Sequence, residues 1–190
     1  MLKIVFIFFA FIAFCYGSLY AQKNEIRHFD SLDGLWTFVR EPFDSNGIGI
    51  QNQWYRKDLS GFKNATVMPV PCAYNEISAE KGLREHLGWV WYQTNFYQSK
   101  YDHNLLNILK FESIQYYARI YLNGEFIGDH IGGHLPFEFE IEPFSHRLNI
   151  LTVAVNNTLS HHTLPHAEYK HYKTFDYEGI SFLPNFDFFN

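Results

Sequence analysis

The sequence has few cysteines and no cluster of basic residues, and both shortages narrow the possible classes of protein. Two cysteines occur among the 190 residues, Cys15 in an apolar N-terminal run and Cys72. If that run is removed, one cysteine remains and no internal disulfide can form. Lysine and arginine number 15 against 20 aspartates and glutamates, which gives a formal net charge of −5. Because nucleic acids are bound largely through clustered basic residues, we predict no nucleic-acid partner.

Apolar runs of membrane-spanning length are also missing. A spanning helix needs about 20 apolar residues, and the N-terminal run at residues 4–16 is shorter than that. Its position after a short basic start and before small residues is typical of a secretory signal peptide. We therefore predict a signal peptide at residues 1–21, cut after Gly17 or after Ala21, followed by one domain at residues 22–185. This organisation predicts a secreted or lysosomal protein without a membrane partner.

Two sequons in the predicted mature part agree with a secretory route. They are Asn64-Ala65-Thr66 and Asn156-Asn157-Thr158. Asparagines in such sequons can be glycosylated in the secretory pathway, and a glycan requires a position at the surface. We therefore predict Asn64 and Asn156 as glycosylation sites.

Patterns that carry catalysis are absent from the sequence. It contains no Ser/His/Asp or Cys/His arrangement and no glycine-rich phosphate loop. Glu138, Glu140 and Glu142 alternate along a β-like run, so they share one solvated face and do not oppose each other across a cleft. Cys72 has no activating neighbour, and we expect it to be a buried structural residue. We predict no catalytic residue and no cofactor.

A group of histidines near the end of the sequence is the strongest candidate for a metal site. The group consists of His161, His162, His166 and His171. Structural zinc sites need four converging ligands that are held by further hydrogen bonds. This stretch has the composition of an irregular loop and contains no cysteine. We predict packing or interdomain contacts for these histidines, and no metal.

Aromatic residues make up 19% of the chain, whereas amphipathic periodicity of helix length is lacking. Short β-like runs separated by turn residues predict strands at residues 35–39, 67–70, 88–97, 105–111, 116–122, 125–131, 135–141 and 146–156. Asn123-Gly124 predicts a tight hairpin, because a type I′ turn needs positive φ at both positions. The run at 146–156 is apolar on both sides, so it should lie centrally. This spacing of strands predicts an all-β sandwich or barrel.

Two further expectations concern the aromatic residues. Trp89 and Trp91 share one face of the longest β-like run, and we expect at least one of them to lie in the core. From Leu159 onward the pattern becomes irregular. We expect that tail to have no core of its own, and either to wrap around the sandwich or to reach toward something else.

Several motifs lie in the order that is found in one enzyme family. They are Ser31-Leu32-Asp33-Gly34-Leu35-Trp36, Pro69-Val70-Pro71, Tyr74-Asn75-Glu76-Ile77, Gly88-Trp89-Val90-Trp91-Tyr92, Gly132-Gly133-His134-Leu135-Pro136-Phe137-Glu138, Asn156-Asn157-Thr158-Leu159 and Phe186-Asp187-Phe188-Phe189-Asn190. Together they resemble the N-terminal domain of the β-glucuronidases, in family 2 of the glycoside hydrolases. The resemblance extends over nearly the whole chain after the predicted signal peptide.

The resemblance implies an antiparallel β-sandwich of jelly-roll (galactose-binding-domain-like) type, which is called the sugar-binding domain. In that family an immunoglobulin-like domain and a barrel with two catalytic glutamates follow, and residues 186–190 would begin the connection to them. A chain that ends at Asn190 would be truncated and inactive alone. The family also supplies an aspartate that reaches the substrate pocket. This sequence is shorter there, and Asp176 is the nearest candidate for substrate binding.

The leading interpretation is therefore the non-catalytic sugar-binding domain of a β-glucuronidase-like hydrolase. The parent would bind carbohydrate, hydrolyse terminal β-D-glucuronosides and form a homo-oligomer. An alternative is a free-standing secreted carbohydrate-binding module without hydrolase activity. A third interpretation is a degenerate product that misfolds, because the tail from His161 onward would expose aromatic residues.

Overall fold

The structure is a computed structural model that describes residues 27–42, 45–98, 106–142, 147–173 and 178–184. The chain divides into two compact units, Met1–Ser31 and Leu32–Asn190. Residues 27–31 of the first unit contain no helix or strand. All the strands belong to the second unit.

Three of the sequence-based predictions fall outside the described residues. They are the signal peptide at residues 1–21, the connection at residues 186–190 and the substrate-binding role of Asp176. All three stay predictions. Within the described ranges, no helix is long and apolar enough to cross a membrane.

Ten β-strands and a few short helical turns make up the described part of the chain. The strands are β1 Gly34–Arg40, β2 Thr66–Val70, β3 Trp89–Tyr97, β4 Asn107–Phe111, β5 Tyr117–Leu122, β6 Glu125–Ile131, β7 Phe137–Ile141, β8 Leu148–Asn156, β9 Ala167–Lys173 and β10 Glu178–Pro184. The helical turns are Ile48–Gln51, Trp54–Arg56, Leu59–Gly61 and Lys81–Arg84. The first eight strands coincide with the eight predicted ones, apart from one or two residues at the ends of each.

Six of these strands form one antiparallel sheet in the order β2-β1-β3-β8-β5-β6. β8 is paired on both sides, with β3 and with β5. Leu151, Val153 and Ala154 of this strand are buried, which confirms the predicted central position. The predicted hairpin is also confirmed, because Asn123 and Gly124 join β5 to β6 with φ angles of 53° and 82°.

The remaining two strands of the sandwich, β4 and β7, pair with each other and pack against one face of the large sheet. Leu109 of β4 and Ile141 of β7 lie in the same buried cluster as Ile120 and Val153 of the large sheet. The glutamates of β7 are exposed on the opposite side, as predicted. The fold is therefore an all-β antiparallel sandwich of jelly-roll type, in which the chain crosses repeatedly between two layers.

The other face of the large sheet is covered by the chain between β1 and β2. We call residues 45–65 the crossing segment and the sheet face beneath it the outer face. Leu59 of this segment lies in a second buried cluster with Val39, Trp91 and Tyr121. Trp91 is fully buried, which confirms that one of the two tryptophans belongs to the core.

Two expectations for the rest of the chain were wrong. The stretch after Leu159 is not irregular throughout, because β9 and β10 pair as an antiparallel hairpin along seven residues each. The mixture of charged and aromatic residues in this stretch does not form the apolar alternation from which the other strands were predicted. Cys72 is exposed, not buried. It lies between Pro71 and Ala73 directly after edge strand β2, where no second layer covers the chain.

The two layers are in close contact at Gly128 of β6. A Cβ atom at this position would lie 2.4 Å from Cε1 of Phe139 and 2.9 Å from its Cζ. Neither distance is possible in a packed protein, so the Phe139 ring or the β6 backbone must shift in any substituted variant.

We predict that Gly128→Ala lowers the free energy of unfolding by about 1–3 kcal/mol, the usual range for overpacking in a core. Urea denaturation of the purified chain measures this change. Gly61→Ala is the matched control, because a Cβ there meets no atom within 4 Å, and it should change the stability by less than about 1 kcal/mol. Equal stability of the two variants would contradict the close packing of the layers.

Candidate functional site

The strand register brings several motif-bearing loops to one end of the sandwich. Trp89, Asn156 and Tyr117 lie side by side at the ends of β3, β8 and β5, and Ile131 of β6 pairs with Tyr117. The loops that adjoin these residues are 85–88, 112–116, 132–136 and 157–166. We call this end of the sandwich the loop end.

Asn157 joins three parts of the loop end through its side-chain amide. Its Nδ2 donates to the Tyr74 hydroxyl at 2.6 Å and to the carbonyl oxygen of His86 at 2.9 Å. Its Oδ1 accepts a hydrogen bond from the backbone N–H of Gly88 at 2.9 Å. Both halves of the amide are therefore used. The Asn-Asn-Thr-Leu motif thus has a structural role at its second asparagine, which clasps the long connection between β2 and β3.

Burial fixes the protonation of the side chains around this clasp. His86 is 4% exposed, and its Nε2 donates to the carbonyl oxygen of Trp89 at 3.1 Å. Because burial disfavours the imidazolium, the pKa of His86 is lowered from its ordinary value. Burial likewise raises the pKa of Tyr74, so its phenol stays protonated. The clasp consists of neutral groups, and none of them is a free nucleophile or base.

The second contact of the loop end involves His134. Its Nε2 donates to the carbonyl oxygen of Leu164 at 2.8 Å, which connects loop 132–136 to loop 157–166. Gly133, the residue before His134, has a φ angle of 84°. A Cβ atom at this position would lie 3.1 Å from the Cα atom of Gln115. A glycine is therefore required at this turn. The motif that contains it shapes the loop and supplies no catalytic group.

The histidine group does not form a metal site among the described residues, which contain no cluster of three or more potential ligands. His161 Nε2 lies 2.9 Å from Glu168 Oε1, and His166 Nδ1 donates to the carbonyl oxygen of His161 at 2.7 Å. His162 is exposed. The side chain of His171 lies outside the description.

Two polar residues of the outer face were not singled out from the sequence. Glu41 is 1% exposed, and its Oε1 accepts hydrogen bonds from Trp91 Nε1 at 2.7 Å and from the N–H of Gly49 at 2.9 Å. The Ser45 hydroxyl donates to its other oxygen. A carboxyl group at the end of an otherwise apolar strand was the signal that could have revealed this contact.

Gln93 is the second of these residues and lies in the middle of β3. Its Oε1 accepts from the N–H of Leu59 at 2.9 Å. Its Nε2 donates to the carbonyl oxygen of Lys57 and to the Thr152 hydroxyl, both at 2.9 Å. The amide therefore satisfies backbone groups of the crossing segment that would otherwise be buried unpaired. A glutamine inside an apolar strand was the available signal for this role.

The two predicted glycosylation sites lie in different environments. Asn64 is exposed at the end of the crossing segment, although its Nδ2 donates to the carbonyl oxygen of Arg40 at 2.9 Å. Asn156 is half-buried at the end of β8, and its Oδ1 accepts from the N–H of Thr158 at 2.8 Å. Modification of either asparagine stays a prediction.

The described carboxyl groups do not resemble a hydrolytic pair. A retaining glycosidase needs two carboxyl groups about 5–5.5 Å apart on opposite sides of the scissile bond. The β7 glutamates are exposed and follow one another along one face of a single strand. Glu41 is the only buried acidic residue among those whose burial is described, and three donors occupy it.

Comparison with known proteins identifies the family to which this β-sandwich is similar. Residues 29–180 match the family model described as "Glycosyl hydrolases family 2, sugar binding domain". The β-glucuronidase of Sus scrofa is 38% identical over 185 residues, which cover 92% of this chain and 28% of that enzyme. The β-glucuronidase of Homo sapiens is 37% identical over 186 residues, with the same coverage of 92% and 28%.

Solved structures give the same result. A β-glucuronidase from an uncultured Clostridium sp. is 36% identical with a TM-score of 0.69, covering 78% of this chain and 25% of that one. The Ruminococcus gnavus β-glucuronidase in complex with D-glucuronic acid is 33% identical with a TM-score of 0.69, covering 80% of this chain and 26% of that one.

The fold and the match define an all-β domain of the sugar-binding class. The chain belongs to the glycoside hydrolase family 2 sugar-binding domains. It spans just over a quarter of the length of the curated relatives it matches, at 28% of each of the two enzymes above.

The lowered pKa of His86 makes stability depend on pH in a defined direction. The unfolded chain binds a proton to this histidine near its ordinary pKa of 6.5, whereas the folded chain binds it only at lower pH. Between these two values the unfolded state holds more protons, so the folded state loses stability as pH falls below 6.5. We expect urea midpoints at pH 7.5, 6.5, 5.5 and 4.5 to decrease in that order.

A variant without the titrating ring separates this effect from that of the carboxyl groups. His86→Gln should show a shallower loss of stability below pH 6.5 than the unsubstituted chain. His162→Gln, at an exposed histidine, should keep the original slope. An unchanged slope in His86→Gln would mean that burial of the neutral ring is not what connects pH to stability.

Proposed function

We propose that this chain is the non-catalytic N-terminal sugar-binding domain of a β-glucuronidase-like glycoside hydrolase. The single observation that carries the proposal is the family match over residues 29–180, together with relatives named β-glucuronidase that align over 92% of the chain. The parent reaction is the hydrolysis of terminal β-D-glucuronosides. In the parent, this domain contributes a rigid sandwich whose loop end and hairpin β9–β10 are available for contacts with further domains.

The geometry supports the non-catalytic part of this proposal. The polar groups of the clasp around Asn157 are neutral and hydrogen-bonded to one another. The β7 glutamates are exposed along one strand, and the buried carboxyl group of Glu41 already accepts from three donors. Hydrolysis of a glycoside requires an acid and a second carboxyl group with separated pKa values. Those two groups would come from the barrel that the resemblance implies.

We also propose a secretory route, to the outside of the cell or to a lysosome. The predicted signal peptide supports it, and so does the exposure of Asn64 within its sequon. Glycans at Asn64 and Asn156 and the homo-oligomeric parent belong to the same proposal.

The test of the non-catalytic assignment is a hydrolysis assay on the chain itself. The chain is produced by secretory expression, purified and incubated with p-nitrophenyl β-D-glucuronide. We expect no release of p-nitrophenol above the buffer blank. The Ruminococcus gnavus β-glucuronidase serves as the positive control under the same conditions. Sustained turnover that co-purifies with the chain would overturn the assignment.

A free-standing carbohydrate-binding module is the second candidate function. The observation that favours it is a group of aromatic and charged side chains on the outer face that the crossing segment leaves uncovered, beside the β6 edge. Phe126 of this group is 49% exposed. Sugar binding by the isolated chain is compatible with both functions.

A further inference from the structure

The outer face of the large sheet is open beside its β6 edge. We call the residues that line this area the β5–β6 surface, namely Tyr117 and Arg119 of β5 with Phe126, Asp129 and Ile131 of β6. The crossing segment reaches the area at Tyr55, whose ring stacks on Tyr121 at a centroid distance of 4.3 Å. Beyond that contact Phe126 is 49% exposed and Ile131 is 47% exposed.

Cross-strand contacts hold the polar groups of this surface in place. The Tyr117 hydroxyl donates to Asp129 Oδ2 at 2.7 Å. Burial and this hydrogen bond to Asp129 together raise the pKa of Tyr117 to about 12, so the donor stays protonated. Trp89 of β3 also contacts the Tyr117 ring edge-on, with 5.5 Å between the two ring centroids. The carboxylate and the phenol therefore have one defined arrangement.

The Arg119 guanidinium is held by aromatic rings and not by a carboxylate. Its Cζ lies 4.9 Å from the ring centroid of Phe126 and 5.9 Å from that of Tyr121, both within the range of cation–π contacts. Asp129 is its cross-strand partner but bonds to Tyr117 instead. Arg119 forms none of the ion pairs found among the described residues. Its Nε–H is buried without an acceptor.

These features define the kind of ligand that the surface fits. A guanidinium stays charged at all physiological pH values, and its planar set of donors matches a carboxylate. Asp129 retains acceptor capacity for hydroxyl groups, because a carboxylate has about four lone-pair positions and Tyr117 occupies one. Phe126 offers apolar area for the C–H face of a ring. A pyranose that carries a carboxylate satisfies all three requirements.

We propose that the β5–β6 surface binds a uronic-acid residue of an acidic glycan. Arg119 binds the carboxylate, Asp129 accepts hydrogen bonds from ring hydroxyls, and Phe126 packs against the sugar ring. The inference rests on the sugar-binding part of the proposed function and is independent of any hydrolysis. The site is a binding site on the sandwich itself.

A glycan on an asparagine beside this surface would interfere with a binding measurement. The side chain of Asn156 lies on the outer face between Trp89 and Tyr117, its cross-strand partners. A glycan on Asn156 would cover part of the surface. The purified chain is therefore treated with an endoglycosidase before binding is measured.

Isothermal titration calorimetry with two hexasaccharides tests the proposal. The first probe is a hyaluronan hexasaccharide, which contains glucuronate. The second is chitohexaose, which has the same ring size and no carboxylate. We expect saturable binding of the acidic probe, at least tenfold tighter than that of the neutral one, with an affinity that falls as salt is added. Equal binding of both probes, or binding of neither, would overturn the proposal.

Variants locate the binding on the β5–β6 surface. Arg119→Gln should weaken binding of the hyaluronan probe at least tenfold, and Phe126→Ala should weaken it as well. Lys110→Gln removes a cation from β4 in the other layer, and it should leave the affinity unchanged. Thermal unfolding of each variant shows whether the fold is retained. Full affinity in folded Arg119→Gln would contradict the site, and the non-catalytic assignment would stand unaffected, because the separate hydrolysis assay tests it.

Discussion

The buried carboxyl group of Glu41 is the contact on which the arrangement of the outer face depends. It accepts from the Trp91 indole, from the Gly49 backbone and from the Ser45 hydroxyl, and so it binds the start of the crossing segment to the centre of the sheet. A buried polar group left without a partner costs about 1–3 kcal/mol, so the three contacts stabilise one another. Gly49 is required beside it, since a Cβ there would lie 2.5 Å from the Trp91 ring. Gln93, two residues after Trp91 in β3, has a similar role. Its side-chain amide accepts a hydrogen bond from the Leu59 N–H and donates one to the Lys57 carbonyl oxygen.

Because the crossing segment is fixed in this way, the central strands are buried on both faces and the polar surface is confined to a few places. The loop end is one of them, where the Asn157 amide closes the connection between β2 and β3. The β5–β6 surface is another, because it lies beyond the contacts that Tyr55 and Arg56 of the crossing segment make with Tyr121 and Glu125. The clasp at the loop end therefore consists of neutral, hydrogen-bonded groups, whereas the open part of the sheet carries the Arg119 guanidinium, which lies over the Phe126 ring.

Much of the fold could be predicted from local patterns. Alternation along β3 and the Asn123-Gly124 turn are local signals, and apolar residues on both faces of β8 indicated its central position. Hairpin β9–β10 could not be predicted in the same way, because its strands pair with each other outside the main core and lack apolar alternation. The hydrogen-bond contacts of the candidate site could not be predicted from local patterns. Glu41 and Trp91 are 50 positions apart, and a sequence does not show which distant donors meet a given polar side chain.

Two of the motifs that resemble β-glucuronidases acquire physical explanations in this structure. Gly133 is needed at a turn, and Asn157 is needed as a clasp. The central claim for this chain, which we propose, is that such residues preserve a domain that supports chemistry located elsewhere. Sequencing the native transcript beyond the codon for Asn190 tests that claim most directly. The account predicts an open reading frame that continues into an immunoglobulin-like domain and a barrel with two glutamates. A stop codon directly after Asn190 would contradict it and leave glycan binding as the function of a free-standing module.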